Sequence, residues 1–459
     1  MEAALAYATT NMQRFYAQLL DLIRIPSIST QPSHAADVQR AATWLAADMQ
    51  RIGFDRAEIL SMPEGRHPLV LGEWSGAGPD APTVLIYCHY DVQPAEMSDG
   101  WQTTPFEPVE RDGKLYARGS TDSKINVITQ LKAIESLLNS KDKSPVNIKL
   151  LLEGEEESGS ETINAFVAAH PDRLRADICV ISDGGIVEPD QPSLVLGLRG
   201  IVGMEVQVTG PVRDLHSGHY GGNVHNPLQA LCEIVAQLHD DNGSVTVPGF
   251  YDQVTVPDAA ERAMLAAIDP WYDADWQRTA AAPEPWGEAG YSIHERAGIR
   301  PTLELNGMWG GYTDTGMKTV LPSTAQAKIS CRLVPNQNPD RIYDLVRDHI
   351  ARLTPSTVQA TVSRQDQGAA AVRFPHDTGA MRAAGAAYAH SWGTPTIYEV
   401  AGGSVPIAHT LQDLAGEMVM MGYGYKGGQN HGPNEHIIIR NFERGIETAI
   451  RFLQLAGER

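Results

Sequence analysis

The chain has 459 residues, enough for two or three domains with a large hydrophobic core, and its 42% apolar and 20% charged residues are those of an ordinary globular protein. A formal net charge of −20 argues against binding to nucleic acid or to an anionic membrane surface. The first ten residues lack the basic and apolar regions of a signal peptide, and no apolar run approaches the roughly 20 residues that span a bilayer.

The cysteines indicate a reducing environment. All four are widely separated, and none forms a Cys-x-x-Cys pair of the kind found in zinc knuckles and redox dithiols. Three of them, Cys88, Cys179 and Cys331, lie in apolar, strand-like runs and are predicted to be buried free thiols. This pattern predicts a cytoplasmic protein.

Strands and helices alternate through the first 200 residues. Apolar periodicity predicts helices at 11–23, 38–52 and 124–138, and continuous apolar runs predict buried strands at 83–92, 148–152 and 177–182. Such alternation is typical of βαβ units in an α/β fold with a mostly parallel sheet. In such sheets, functional side chains gather at the carboxyl ends of the strands.

Acidic residues are concentrated after the second of these buried strands. Four acids, Glu153 and Glu155–Glu157, fall within five residues and precede the turn Ser158-Gly-Ser160. Packed this closely, carboxylates raise one another's pKa unless a cation lies among them. The run alone is equally compatible with a solvated acidic loop. Other strands also end in polar residues, however: His89 and Asp91 after the first, and Asp183 after the third.

The pattern changes after Gly200. Val202, Met204, Val206 and Val208 alternate with period two, which predicts a half-exposed strand of an antiparallel sheet. Residues 245–300 lack periodicity and are interpreted as an irregular insertion. Parallel α/β character returns near residue 373. We therefore predict a catalytic domain formed by residues 1–200 and 374–459, with a smaller α+β domain, residues 201–373, inserted into it.

The polar residues at the strand ends form a set of nitrogen and oxygen donors without thiolates. Its members are His89, Asp122, one or two of Glu155–Glu157, Asp183 and His431. Mixed imidazole and carboxylate ligation suits zinc, manganese or cobalt better than calcium or magnesium. Two histidines and three carboxylates suffice for two metal ions, and the adjacent glutamates offer one ligand and one general base. Taken singly, Asp122 could instead cap a helix and His431 could be a surface histidine.

Several motifs of the chain together resemble the aminoacylase/carnosinase superfamily of dinuclear zinc peptidases, in particular its cytosolic carnosinase-like dipeptidase branch. The resemblance runs from about Arg24 to the C-terminal helix. The motifs are His89-Tyr-Asp-Val, Gly119-Ser-Thr-Asp122-Ser-Lys, Glu153-Gly-Glu-Glu-Glu-Ser-Gly-Ser160, Ser182-Asp183, Asp214-Leu-His-Ser-Gly-His-Tyr-Gly-Gly222 and the late His431.

The resemblance implies a role for each matching residue of the metal centre. Asp122 would bridge two divalent metal ions, for which zinc is favoured and manganese or cobalt are alternatives. The remaining ligands would be His89 and Asp183 at one ion, and Glu157 and His431 at the other. Glu156 would be the general base, and Asp91 would orient His89. In relatives the peptide after the bridging aspartate is often cis. Glu155 departs from the family pattern and receives no role.

For the inserted domain, the resemblance implies a lid that also forms a homodimer. His216 would reach the partner subunit's active site and polarise the scissile carbonyl, and Arg332 would bind the substrate carboxylate. Thr319, Gly403 and Ser404 would line the same pocket. The expected activity is hydrolysis of dipeptides or short peptides. The alternatives are an N-acyl-amino-acid deacylase or related amidohydrolase on the same core, and a non-catalytic peptide-binding relative.

Overall fold

The computed structural model describes residues 1–60, 65–366, 368–403 and 405–458, apart from the side chain of Pro406. The chain divides into two compact units. Unit 1 comprises Met1–Leu196, Phe374–Tyr398 and Thr410–Arg459, and unit 2 comprises Gly197–Arg373 and Glu399–His409. Among the described helices, none has the length and apolar character needed to cross a bilayer.

The first part of the chain alternates strands with helices. Its elements are α1 (Glu2–Ile23), α2 (Ala35–Ile52), β1 (Arg56–Leu60), β2 (Leu69–Trp74), β3 (Thr83–His89), β4 (Val109–Arg111), β5 (Lys114–Tyr116), α3 (Ile125–Leu138), β6 (Asn147–Glu153), α4 (Glu161–Ala169), α5 (Pro171–Leu174), β7 (Ala176–Ile181), β8 (Gly185–Ile186) and β9 (Ser193–Leu198). The predicted stop of α2 at Gly53 is confirmed: this glycine has φ +103°, a conformation that most side chains disfavour.

The middle of the chain builds unit 2. Its elements are β10 (Gly200–Thr209), β11 (Leu215–His216), α6 (Ser217–Tyr220), α7 (Pro227–Val235), α8 (Ala259–Leu265), α9 (Asp269–Thr279), α10 (Ile293–Gly298), β12 (Thr302–Gly310), β13 (Val320–Leu321), β14 (Thr324–Leu333), α11 (Pro339–Leu353), β15 (Gln359–Arg364) and β16 (Val372–Arg373). The interpretation of residues 245–300 as irregular is wrong, since three helices lie there. Two are short, and α9 has no buried residue, so no apolar stripe marks it in the sequence.

The last part of the chain contains α12 (Gly379–Trp392), β17 (Ile397–Ala401), α13 (Pro406–Leu411), β18 (Ala415–Met420), β19 (Gly424–Tyr425), β20 (His436–Ile438) and α14 (Ile439–Ala456). In unit 1 the main sheet has the order β1-β2-β6-β3-β7-β18-β9. Its centre, β6-β3-β7-β18, is parallel. Helices α1, α3, α14 and α12 pack side by side as one layer. The predicted α/β class with a mostly parallel sheet is therefore confirmed.

The sheet of unit 2 has the order β12-β14-β10-β15, and all its described pairings are antiparallel. Along β10 the residues Val202, Met204, Val206 and Val208 are buried while their neighbours are more exposed, as the period-two pattern predicts. Helices α7 and α11 cover this buried face. The residues of β10 that alternate with these four lie on the other face of the sheet and are more exposed.

Candidate metal centre

The carboxyl ends of three adjacent parallel strands supply the first part of the candidate site. Strand β3 lies between β6 and β7, with His89 level with Glu153 and Tyr87 level with Ile181. Beyond the end of β7 comes Asp183. Nε2 of the buried His89 lies 3.1 Å from Oδ1 of Asp122 and 3.5 Å from Oδ1 of Asp183. The predicted gathering of side chains at the strand ends is thus present.

Asp122 stands between the two histidines of the site. Its Oδ1 faces His89, and its Oδ2 lies 3.1 Å from Nε2 of His431. Burial acts to raise the pKa of Asp122, but hydrogen bonds from His431 and His89 hold that pKa well below its ordinary value. The peptide bond between Asp122 and Ser123 is cis. Two oxygens that face different imidazoles are what a shared, bridging ligand requires.

His431 and Glu157 lie on the other side of Asp122. Nε2 of His431 is 3.3 Å from Oε2 of Glu157, and Gln93 donates a hydrogen bond of 2.8 Å to that same oxygen. Hydrogen bonds to Asp122 and Glu157 raise the pKa of His431 to about 10. The other oxygen of Glu157 is buried and has no hydrogen-bond partner among the described residues. A buried carboxylate oxygen of this kind suits a cation.

Glu156 borders the same space. Its carboxylate, that of Glu157 and the ring of His89 offer ligand atoms within 4.8 Å of one another. Burial raises the pKa of Glu156 to about 8, with Asp183, Glu157 and Asp91 adding to the rise and His89 opposing it. A carboxylate with a pKa near neutrality can both accept and return a proton at physiological pH.

Asp91 makes contacts that the sequence analysis did not foresee. Its fully buried carboxylate lies 3.5 Å from Nδ1 of His89, which fits the predicted orienting role. It also accepts hydrogen bonds from the backbone N–H groups of Glu156 (3.2 Å) and Glu157 (3.0 Å). One carboxylate therefore holds the turn that carries the candidate base and a candidate ligand.

The other two acids of the acidic run belong to none of the candidate metal-binding groups of the described residues. Glu155 accepts a hydrogen bond of 3.0 Å from the backbone N–H of Thr162, in the first turn of α4, and forms an ion pair with Arg66. Glu155 therefore anchors the start of α4, a role that the sequence did not indicate. Glu153 accepts a hydrogen bond of 2.6 Å from Tyr87, and burial raises its pKa to about 8.

These donor atoms fit divalent metal ions. Among the described residues, three groups with ligand atoms within 4.8 Å of one another could hold an ion: His89 with Asp122 and Asp183, Asp122 with Glu157 and His431, and His89 with Glu156 and Glu157. The first two groups share Asp122. Imidazole nitrogens and carboxylate oxygens, without a thiolate, are ligands that borderline transition metals accept.

Two further residues of unit 1 reach the site without having been predicted. Glu435 and Arg118, both buried, connect the segment of Asp122 with the segment of His431. The only signal in the sequence is that Glu435 follows His431 by four residues in His-Gly-Pro-Asn-Glu. Burial of a charged pair cannot be read from that spacing.

The predicted substrate residues belong to unit 2. Arg332, half-buried, lines a pocket of about 420 Å³ together with Arg199, Trp276 and Trp286. Burial lowers the pKa of Arg332. Arg199 donates from Nε to the carbonyl of Gly402, and from its backbone N–H to the carbonyl of Gly403. Ser404 lies outside the described residues.

The remaining two predicted residues of unit 2 are exposed. Nδ1 of His216 accepts a hydrogen bond of 3.0 Å from the backbone N–H of Gly218. The backbone carbonyl of Thr319 accepts one from the N–H of Ser217. The pairing of β11 with β13 places His216 opposite Val320, the residue after Thr319. His216 and Thr319 are therefore neighbours within unit 2.

Comparison with known proteins assigns the chain to a family. A Cys-Gly metallodipeptidase of Schizosaccharomyces pombe is 30% identical over 94% of this chain and 93% of its own length. A human Beta-Ala-His dipeptidase is 30% identical over 99% and 93%. The crystal structure of an M20 family metallo-carboxypeptidase from Sulfolobus solfataricus matches with a TM-score of 0.81 at 29% identity, covering 97% of this chain and 99% of the other. The model of "Peptidase family M20/M25/M40" matches residues 85–455. This chain therefore belongs to peptidase family M20/M25/M40.

Proposed function

We propose that this protein is a metal-dependent hydrolase that cleaves the peptide bond of dipeptides or short peptides. The observation that carries the proposal is the pair of donor groups that share Asp122, beside the carboxyl ends of β3, β6 and β7. Relatives named as a Cys-Gly metallodipeptidase and a Beta-Ala-His dipeptidase, matched over nearly their full length, support the same reaction. An N-acyl-amino-acid deacylase on the same core is the second candidate, and the relatives do not favour it.

The proposed ligands are His89, Asp122 and Asp183 for one ion, and Asp122, Glu157 and His431 for the other. When bound, divalent ions act as Lewis acids that polarise a carbonyl and lower the pKa of water. Zinc is the ion that we favour, with manganese or cobalt as alternatives, because the donors are imidazole and carboxylate.

The proton transfers are assigned to Glu156. It takes a proton from the attacking water and returns it to the leaving amine nitrogen, so that the peptide yields one new carboxylate and one new amine. The raised pKa of Glu156, about 8, and its position beside His89 and Glu157 support this assignment. Asp91 holds the backbone of Glu156 through a hydrogen bond and thereby fixes where the base lies.

Substrate binding is proposed for residues of unit 2. Arg332 pairs with the substrate carboxylate, which a planar guanidinium matches with two parallel hydrogen bonds. The family resemblance supports a substrate-binding role for Thr319, Gly403 and Ser404 as well, and polarisation of the scissile carbonyl by His216 of the partner subunit. Residues 1–200 and 374–459 form the catalytic domain, and residues 201–373 the lid and dimerisation domain.

The proposed homodimer forms through the inserted domain. Strand β12 ends the described order of the unit 2 sheet, so one of its edges can pair with a second copy. Leu305, Met308 and Trp309 on β12 are each 41% exposed, and a second copy paired with this strand can cover them. A cytoplasmic location is proposed because the four cysteines are free and Cys232 is exposed.

The function is tested with protein freed of metal by a chelator and reloaded with zinc, manganese or cobalt. Each form is given a panel of dipeptides, including Cys-Gly and β-Ala-His, and a matched panel of N-acyl amino acids. We expect reloaded protein to release free amino acids from dipeptides and metal-free protein to release none. Hydrolysis confined to the N-acyl amino acids would favour the second candidate.

A further inference from the structure

Glu435 is a fully buried carboxylate that accepts four hydrogen bonds. Its Oε2 accepts from Nη1 of Arg118 (2.7 Å) and from the backbone N–H of Gly119 (2.9 Å). Its Oε1 accepts from the backbone N–H groups of Thr121 (2.8 Å) and Asp122 (3.0 Å). Three backbone N–H groups, those of Gly119, Thr121 and Asp122, therefore tie one side chain to the segment that ends at the proposed bridging ligand.

Arg118 extends these contacts to the other proposed ion site. Besides Glu435, it donates from Nη2 to the backbone carbonyl of His431 (3.1 Å) and to that of Pro94 (3.3 Å). Its guanidinium also lies 5.3 Å from the ring centre of Trp101. The guanidinium is thus held on several sides, and its position determines that of the His431 backbone.

The segment of His431 requires such support because its backbone is unfavourable. His431 has φ +60°, and Gln429 and Asn434 have φ +59° and +62°. A left-handed conformation is unfavourable for a residue with a side chain, least so for asparagine. The side chain of His431 is 55% exposed, so packing around the ring contributes little to holding it. A direct hydrogen bond to its own carbonyl is therefore an effective restraint.

We propose that Glu435, acting through Arg118 and the backbone of residues 119–122, is a positioning residue that holds Asp122 and His431 in place for metal binding. This inference rests on the proposed function, since it takes these two residues as ligands. Replacing Glu435 with glutamine would leave one oxygen, which can still accept from the backbone N–H groups of Thr121 and Asp122. It would also set an amide NH2 against the N–H of Gly119 and the guanidinium of Arg118.

The test compares Glu435→Gln with Glu135→Gln. Like Glu435, Glu135 is fully buried, and it forms ion pairs with Arg51 and Lys132. Unlike Glu435, it lies where helices α1, α2 and α3 pack together. Metal-free forms of both variants and the parent are titrated with Zn²⁺ in competition with a chromophoric chelator. Thermal unfolding of the metal-free forms is measured in parallel, and kcat and KM are measured at saturating metal.

We expect Glu435→Gln to raise the Kd of at least one zinc ion tenfold or more, while Glu135→Gln stays within twofold of the parent despite losing stability. A rise of less than threefold relative to Glu135→Gln would overturn the inference. If Glu435→Gln does not fold, Arg118→Lys takes its place under the same thresholds, because lysine cannot reach Glu435, Pro94 and His431 at once. Failure of the parent to bind zinc would instead overturn the proposed ligands, and the inference with them.

Discussion

Replacing Asp91 with asparagine tests the organisation of the site most directly. The substitution keeps the size of the side chain and removes its charge. In the parent, the two carboxylate oxygens accept one backbone N–H each, from Glu156 and Glu157. An asparagine has one carbonyl oxygen, so one of these N–H groups must face an NH2 group. The turn that carries the proposed base and ligand then loses one of its two restraints.

The cost follows from that lost hydrogen bond. A buried donor left without its acceptor costs about 1–3 kcal/mol. If the cost falls on the active arrangement of the turn, kcat/KM declines by a factor of about 5 to 150, since each 1.4 kcal/mol corresponds to tenfold. Any part of this cost that the turn does not relieve by moving should appear as lower thermal stability, which is measured in parallel.

The assay is dipeptide hydrolysis over a range of metal concentrations. The matched control is Asp177→Asn, since Asp177 also accepts a backbone N–H, that of Thr83 (2.7 Å), at the opposite end of β3. We expect the control to keep kcat/KM within twofold of the parent. A similar value for Asp91→Asn would refute the reasoning. Full recovery of Asp91→Asn at high metal concentration would also refute it, because the defect would then lie in ion affinity alone.

Two further substitutions separate proton transfer from metal binding, and a third tests stability. Glu156→Gln should lower kcat by about 10²–10⁴-fold, with metal content near that of the parent. Asp122→Asn should lose both its metal and its activity. Elemental analysis measures the metal content, and steady-state kinetics measures kcat. Burial acts to raise the pKa of Glu135, but Arg51 and Arg14 hold it at about 2, against an ordinary 4.5. The resulting stabilisation, about 3 kcal/mol, is complete above pH 4.5 and is lost as the pH falls towards 2. Chemical denaturation should therefore show that Glu135→Gln lowers the free energy of unfolding by about 3 kcal/mol at pH 7 and by less than half of that at pH 3. An equal loss at both pH values would contradict this account.

The sequence predicts most of the metal centre because its residues stand at the ends of strongly apolar strands. His89, Asp183 and the acidic run follow runs of buried residues, so a parallel sheet brings them to one edge. Asp122 and His431 come from loops; the sequence includes them in the donor set, but their assignment to particular ions rests on the likeness to a family. The class of fold is also predictable, because strand and helix periods alternate clearly through the first 200 residues.

Other parts of the molecule depend on contacts between residues distant in sequence. Glu155 looks like a member of the active acidic run, but its partners, Thr162 and Arg66, give it a structural role. The importance of Glu435 arises from Arg118, which is 317 residues away. Helix α9 lacks a buried face, so periodicity could not reveal it. In each case the missing information is which side chain lies opposite, and spacing along the chain does not contain it.

The register of β3 with its two neighbours has a consequence for how the protein folds. Side chains alternate along a strand, so a slip of one residue would turn His89 to the opposite face from its present partners. A chain paired in that way cannot assemble the proposed ligands, and a metal ion would add no stability to it. The binding free energy of the ion is then available only to correctly paired chains.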